Sequence, residues 1–197
     1  MDNYNKNLKL LTENHIYSKD MEHDACGVGV IVSTEGKKSR KIVEYGIEAL
    51  KAVWHRGAVD ADGKTGDGAG IHVEIPKDFF IEKIEVTGHD YDNSEICVGM
   101  IFLPRNDYSS QESCKTIVES ELTKNDFSIY GWRQVPVNPK ILGAKAFQTM
   151  PEIIQVLFKS NDLNLVDKNL ERKIYETRKK IENKAFELSL NDFYICS

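Results

Sequence analysis

No stretch of this sequence is apolar over the roughly 20 residues that a membrane-spanning helix requires. The N-terminal MDNYNKNLKLLTENHIYSKDMEHDA also lacks the continuous apolar core of a secretory signal, so neither a membrane nor an export route is expected. Basic charge is in deficit: 26 Lys and Arg against 31 Asp and Glu give a formal net charge of −5. A nucleic-acid or anionic-membrane surface needs clustered Lys and Arg in excess, and this balance argues against both. The cysteines at 26, 97, 114 and 196 form no CxxC pair and no tight framework. They read as reduced thiols in a cytoplasmic protein.

What is present fits one globular domain. The 197 residues are 41% hydrophobic and 29% charged, ordinary values for a packed core with a wet surface. Residues 1–22 are polar and weakly patterned, and read as a flexible leader. GVGVIVS (27–33) predicts a short buried strand. Val43, Ile47, Leu50 and Trp54 form one apolar stripe and predict a helix over about 40–54. HRGAVDADGKTGDGAG (55–70) is too rich in Gly and Asp to be anything but a loop. GIHVEI predicts a strand, and Pro76 the first turn of a short helix through Phe79 and Phe80.

Strands are predicted again at 96–104, 127–137, 152–159 and in the closing DFYICS. Helices are predicted over about 110–124, with Cys114, Ile117, Val118 and Leu122 inward, and over 166–186, with Val166, Leu170, Ile174, Ile181 and Ala185 inward. The mixture predicts sheets covered by helices.

The long loop imitates three known sites and fits none. From Gly57 to Gly63-Lys64-Thr65 there is one residue too many for a phosphate-binding loop, and a helix precedes it instead of a strand. Read as an EF-hand starting at Asp60, the twelfth position is Ile71 and not a bidentate Glu. The glycines of CGVG come before their strand, and no third glycine opens a helix, which excludes a dinucleotide fingerprint. His23 and Cys26 lack the further ligands a metal would need. Asp60, Asp62 and Asp67 are therefore read as organisers of their own loop, through side-chain to backbone bonds.

Cys26 followed by Gly27, with WHRGA some thirty residues later, is the combination that carries chemistry. A thiol of pKa about 8.5 is mostly protonated at neutral pH, so a nucleophilic cysteine needs a base or a positive charge beside it. A free α-amino group, of pKa about 7.7–8, suits that task. If the chain is cut between Ala25 and Cys26, nucleophile and base sit on one residue. Gly27, without a Cβ, would let substrate approach closely, and Arg56 could orient a thiolate or a carboxylate.

ACGVGVIV, HRGAVDADGKTGDGAGI and IPKDFF, continued by GWRQVPVN, MPEIIQVLF, LERKIYETRKKIE and FYICS, resemble the glutaminase domain of glutamate synthase large subunits, a branch of the class II glutamine amidotransferases. The resemblance covers nearly everything from residue 26 onward, and residues 1–25 are similar to the propeptide that this family removes. It implies an α+β fold, the N-terminal-nucleophile hydrolase four-layer α/β/β/α sandwich. It also implies hydrolysis of L-glutamine to glutamate and ammonia through a thioester on Cys26, with Arg56 catalytic and Gly27 lining the substrate pocket. The implied partners are L-glutamine, the remainder of a glutamate synthase large subunit and a small reductase subunit. FMN and an iron–sulfur cluster are implied for the whole enzyme and none for this chain. The family's domain is longer and places an oxyanion-hole Asn-Gly pair beyond position 197, so the expectation is an N-terminal part of a domain or a shortened product. The alternative is a catalytically silent remnant or interaction module. An amidotransferase for another acceptor is disfavoured by ADGKTGDGAGI.

The remaining candidates have plainer readings. Cys97, Cys114 and Cys196 read as core. His55 reads as support for the turn around Arg56, and His72 and His89 show no partner. Trp132 and Arg133 could reach a pocket, although a strand tryptophan is more often core. KKSRK (37–41) reads as a solvated turn, and the basic residues of 172–184 as the wet face of a helix.

Overall fold

CVGMIFL alternates buried and half-buried positions along its length, and it forms the strand β1, Cys97–Leu103. The computed structural model describes residues 2–14, 27–54 and 57–196. The chain divides into two compact units, one of Met1–Ala58 with Asp67–Ile71 and the other of Val59–Gly66 with His72–Ser197.

The first unit holds α1 (Asp2–Asn14) and α2 (Arg40–Ala52). Ser39 caps α2 by accepting from the Lys41 amide at 3.2 Å. Val43, Ile47 and Leu50 are half-buried, and no α2 residue is fully buried among those described. Four expectations are corrected here. Residues 2–14, read as weakly patterned, form a helix, and Lys9 and Glu13 face each other across one turn of it, at 3.7 Å. The stripe ends before Trp54, which lies past the helix and is 76% exposed. KKSRK is not wholly a turn: Lys37 pairs with Glu35, Ser39 is the cap, and Arg40 and Lys41 are already helical. GVGVIVS forms no strand, and Val28, Val30 and Val32 are 90%, 79% and 70% exposed. Strand propensity expresses the fit of a segment to a pairing neighbour, and no described strand pairs with this run.

The second unit contains α3 (Lys77–Val86), β1, α4 (Tyr108–Lys124), β2 (Phe127–Gln134), a 3-10 turn at Pro139–Ile141, α5 (Ala144–Gln148), β3 (Glu152–Ser160), α6 (Asp167–Glu187) and β4 (Tyr194–Cys196). The strands form one antiparallel sheet in the order β2-β3-β1-β4, with Ile101 opposite both Ile154 and Ile195. GIHVEI, expected as a strand, is unpaired, and Pro76 stands as the N-cap of α3 rather than inside its first turn.

One face of the sheet lies under α4 and α6. Cys114, Ile117, Val118 and Leu122 from α4, and Leu170, Ile174, Ile181 and Ala185 from α6, are buried as their spacing predicts. Val166 is the exception: it is the N-cap of α6 and is exposed. Each such large apolar side chain contributes about 1.5–3 kcal/mol by leaving water. Asp107 starts α4 by accepting from the Ser110 amide and hydroxyl, at 3.0 and 2.6 Å.

The other face carries Phe80 and Ile84 of α3 against Ile96, Tyr130 and Leu157. A bulge between Ile129 and Gly131 shifts the register of β2, so Phe127, Ile129 and, beyond the bulge, Trp132 all reach the α4 and α6 side. Gly131, at φ 149°, takes the left-handed geometry there, and Thr87 Oγ1 donates to the Tyr130 carbonyl at 2.7 Å. Among the described residues there is this one sheet, with helices on both faces.

Candidate active site

Of the residues singled out for chemistry, Cys26, His55 and Arg56 lie outside the described residues. Gly27 is described and exposed. A Cβ built on it would meet only Val53, at 3.7 Å, an ordinary contact, so these neighbours do not demand a glycine.

From Gly57 onward the chain is tied by local hydrogen bonds. The Gly57 amide donates to the Trp54 carbonyl at 3.0 Å, and Ala58 and Asp67 hold each other twice. The Ala58 amide donates to Asp67 Oδ2 at 2.8 Å, and the Asp67 amide to the Ala58 carbonyl at 3.3 Å. Next, Val59 and Gly66 form a single antiparallel bridge, and the Asp60 amide donates to the Thr65 carbonyl at 2.7 Å. Gly63, at φ 68°, supplies the left-handed position that turns the chain.

The acidic side chains do the work expected of loop organisers. Asp62 Oδ1 accepts from the Lys64 and Thr65 amides at 2.9 and 2.7 Å, and its Oδ2 accepts from Thr65 Oγ1 at 2.6 Å. The Thr65 hydroxyl foremost, then these amides, hold the Asp62 carboxyl well below the usual carboxylate range. Asp60 accepts from the Ala61 amide and pairs with Lys145, and the Lys145 ammonium is the main cause of its lowered pKa. With their oxygens so occupied, these aspartates are framework.

The other thiols lie in the second unit: Cys97 and Cys114 are buried, whereas Cys196, expected in the core, is only half-buried at the end of β4. Burial above all pushes Cys97 up to about 12 and Cys114 up to about 11, and it raises Cys196. Such thiols stay protonated at neutral pH and are poor nucleophiles. Trp132 packs on the core and donates to Glu119 Oε1 at 2.7 Å; Arg133 donates to Gln155 Oε1 at 2.6 Å and stacks over Phe79. Both are committed to structure. His89, expected without a partner, has one: its Nδ1 lies 3.1 Å from Thr87 Oγ1.

Sequence reasoning missed two polar clusters. Asp92 accepts from Tyr130 Oη at 2.8 Å and pairs with Lys159, which also lies over the Tyr130 ring. Gly143 and Lys145 receive the Asp60–Thr65 turn from some eighty positions away. Neither has a local signal, because each joins segments that only the fold brings together. Among the described residues no three His, Cys, Asp or Glu side chains are grouped as a metal would need, and no helix is long and apolar enough to cross a membrane.

Residues 26–197 match the family described as glutamine amidotransferases class-II. The large chain of glutamate synthase [NADPH] from Azospirillum brasilense is 50% identical over 194 residues, covering 98% of this chain and 13% of that protein. The ferredoxin-dependent glutamate synthase of Pyropia yezoensis is 38% identical over 194 residues, covering 96% of this chain and 12% of that protein. For the ferredoxin-dependent glutamate synthase 1 of Arabidopsis thaliana the values are 39% over 178 residues, 89% and 11%. The chain thus spans 11–13% of the length of these relatives.

Proposed function

The chain belongs to the class II glutamine amidotransferases, and on that premise we propose that it hydrolyses L-glutamine as the amidotransferase part of a glutamate synthase. The observation that carries this reading is that the family match begins at Cys26 and leaves residues 1–25 outside it. That is the boundary at which cleavage would make the thiol and a free amine parts of one N-terminal residue.

The mechanism follows from the chemistry of that residue. The α-amine of Cys26 takes the thiol proton, and the thiolate attacks the side-chain amide carbon of glutamine. The resulting ammonium returns the proton to the departing nitrogen, so ammonia leaves and a γ-glutamyl thioester remains. Water then attacks the thioester carbonyl while the amine accepts its proton; glutamate departs and the thiol is restored. Arg56 orients the anionic groups, and Gly27 leaves room for the substrate beside the first peptide. The supporting fold is the four-layer N-terminal-nucleophile sandwich, of which the described sheet with α4 and α6 would supply two layers.

The ammonia would pass to 2-oxoglutarate amination elsewhere in a longer enzyme, in which FMN and an iron–sulfur cluster carry the reduction and a small reductase subunit could be the electron donor. The cluster does not fit the described residues. An iron–sulfur cluster needs several thiolates in one place, whereas Cys97, Cys114 and Cys196 are spread over β1, α4 and β4, and no step runs through it here.

A second reading, the catalytically silent remnant, is favoured by the exposure of Val28, Val30 and Val32 just after the nucleophile. Glutamate release from glutamine separates the two. The first reading expects turnover that vanishes in Cys26→Ser and that appears only with loss of residues 1–25. A folded, cleaved chain that releases no glutamate supports the second. Full activity of uncleaved chain would refute the amine as base.

A further inference from the structure

α5 begins without a cap of its own. Its N-cap is Gly143, whose carbonyl accepts from the Phe147 amide at 2.9 Å but which has no side chain to satisfy the first-turn amides. The amides that an N-cap side chain serves are those of the second and third helical positions, here Lys145 and Ala146. Both find acceptors far away in sequence. The Ala146 amide donates to Thr65 Oγ1 at 3.3 Å, and the Lys145 amide lies near enough to the Asp62 carboxylate to help hold it ionised. Asp and Thr are residue types favoured at helix N-caps, and a negative charge suits a helix N-terminus. Here they serve from another segment. The glycine admits them. Gly143 has φ −70° and ψ 162°, extended geometry that any residue adopts, so conformational freedom does not explain it. A Cβ at this position would collide with Thr65 Oγ1 and Asp62 Oδ2, and would lie 2.5 Å from the Thr65 amide nitrogen, closer than real Cβ atoms come. The two oxygens thus fill the space in which a capping side chain of residue 143 would start.

A helix of five residues is far below the length of about 12–15 at which helices begin to hold themselves in water, so α5 depends on its contacts. The turn is one of them, with the ion pair between Asp60 and Lys145 as a further tie. The other is Arg105, whose guanidinium carbon lies 4.6 Å from the centre of the Phe147 ring; Gln111 Nε2 holds the Pro104 and Arg105 carbonyls from α4, at 2.7 and 3.3 Å. We propose that the Asp60–Thr65 turn is a releasable strap that caps α5 from outside, so that the start of α5 is ordered only while the turn is docked on Gly143. Docked, the strap ties the connection between β2 and β3 into one body with the loop after β1. Released, it leaves the amides of Lys145 and Ala146 to water. The strap is independent of the chemistry assigned to Cys26, and it gives DGKT (62–65) a task of its own.

The test compares wild type, Gly143→Ala, Gly143→Ser and Thr65→Val in the full chain, by residue-resolved amide exchange and by the rate of tryptic cleavage after Lys64. Gly143→Ala should expel the turn and strip the cap. Exchange at Lys145 and Ala146 should quicken by about 5- to 30-fold, the range of a lost N-cap, and cleavage after Lys64 should quicken with it. Gly143→Ser expels the turn equally but brings its own hydroxyl. Exchange at the two amides should then return toward wild type while cleavage stays fast, a split that general loosening of the fold would not produce. Should the Gly143 variants fail to fold, Thr65→Val, which removes the oxygen at little change of shape, decides by the Ala146 amide, which should exchange faster. Unchanged exchange at Lys145 and Ala146 in Gly143→Ala, or at Ala146 in Thr65→Val, would overturn the strap. So would exchange in Gly143→Ser as fast as in Gly143→Ala, or cleavage after Lys64 that neither Gly143 variant alters.

Discussion

Two seven-residue runs in this chain look alike and end differently. GVGVIVS (27–33) and CVGMIFL (97–103) both carry Val-Gly at their second and third positions and β-formers after it. The second is a central strand, with Ile101 and Leu103 fully buried and neighbours on both edges. The first is exposed and unpaired. The glycines show why. Gly99 faces Val156 across the β1–β3 pair, so closely that a Cβ would lie 2.8 Å from Val156 Cγ1, whereas Gly29 has nothing within 4 Å. A β-rich run becomes a strand when another segment supplies hydrogen bonds and an apolar surface to cover it. Composition alone describes the readiness to pair.

The largest expected difference between the two runs is in amide hydrogen exchange. Core strands open with free energies near the global value while exposed segments open at almost no cost, so β1 amides should exchange at least about a thousandfold more slowly than those of 28–32. Comparable protection in both runs would mean that the first is covered by something in solution.

Side-chain truncation sharpens the same contrast. Ile101→Ala should cost about 2–5 kcal/mol, as cavity-forming core changes do, and Val30→Ala less than about 0.5 kcal/mol, as exposed changes do. Urea unfolding of both variants checks this, and similar losses would erase the distinction.

The smallest effect concerns acid. Asp92, in the second unit, is held below its ordinary pKa by the Lys159 ammonium above all, then by donors of Ser94 and Tyr130. A carboxyl whose folded pKa is depressed stabilises the fold above its unfolded value near 4, and that stability is lost as pH falls through the folded value. Asp92→Asn should therefore remove part of the loss seen below about pH 4 and leave neutral stability lower by about 1 kcal/mol or less, since the pair is partly exposed and screened. An unchanged acid limb would assign the acid sensitivity to other groups.

Most of the second unit was legible in the sequence. The inward residues of α4 and α6, Val166 apart, follow helical spacing that neighbours could only reinforce; β1 and β2 fall within their expected spans, and β3 overruns its own by one residue. The two lost strands are of one kind. GVGVIVS and GIHVEI carry strand patterns without a described partner, and pairing is a property of two segments. Gly143 is the reverse case: its backbone is ordinary, so nothing local marks it, and its need for a bare Cα comes from a turn far away in sequence. The aspartates of that turn were legible as organisers because Asx bonding is local. Their second attachment, through Lys145 and Ala146, was not. The chemical assignment came from Cys26, Gly27 and HRGA with the resemblance they carry.

The most direct measurement is peptide mapping by mass spectrometry after incubation with a thiol-reactive glutamine analogue. The account predicts one adduct per chain, on Cys26, in molecules that begin at that residue. An adduct on Cys97, Cys114 or Cys196, or modification confined to chains that still begin at Met1, would contradict it.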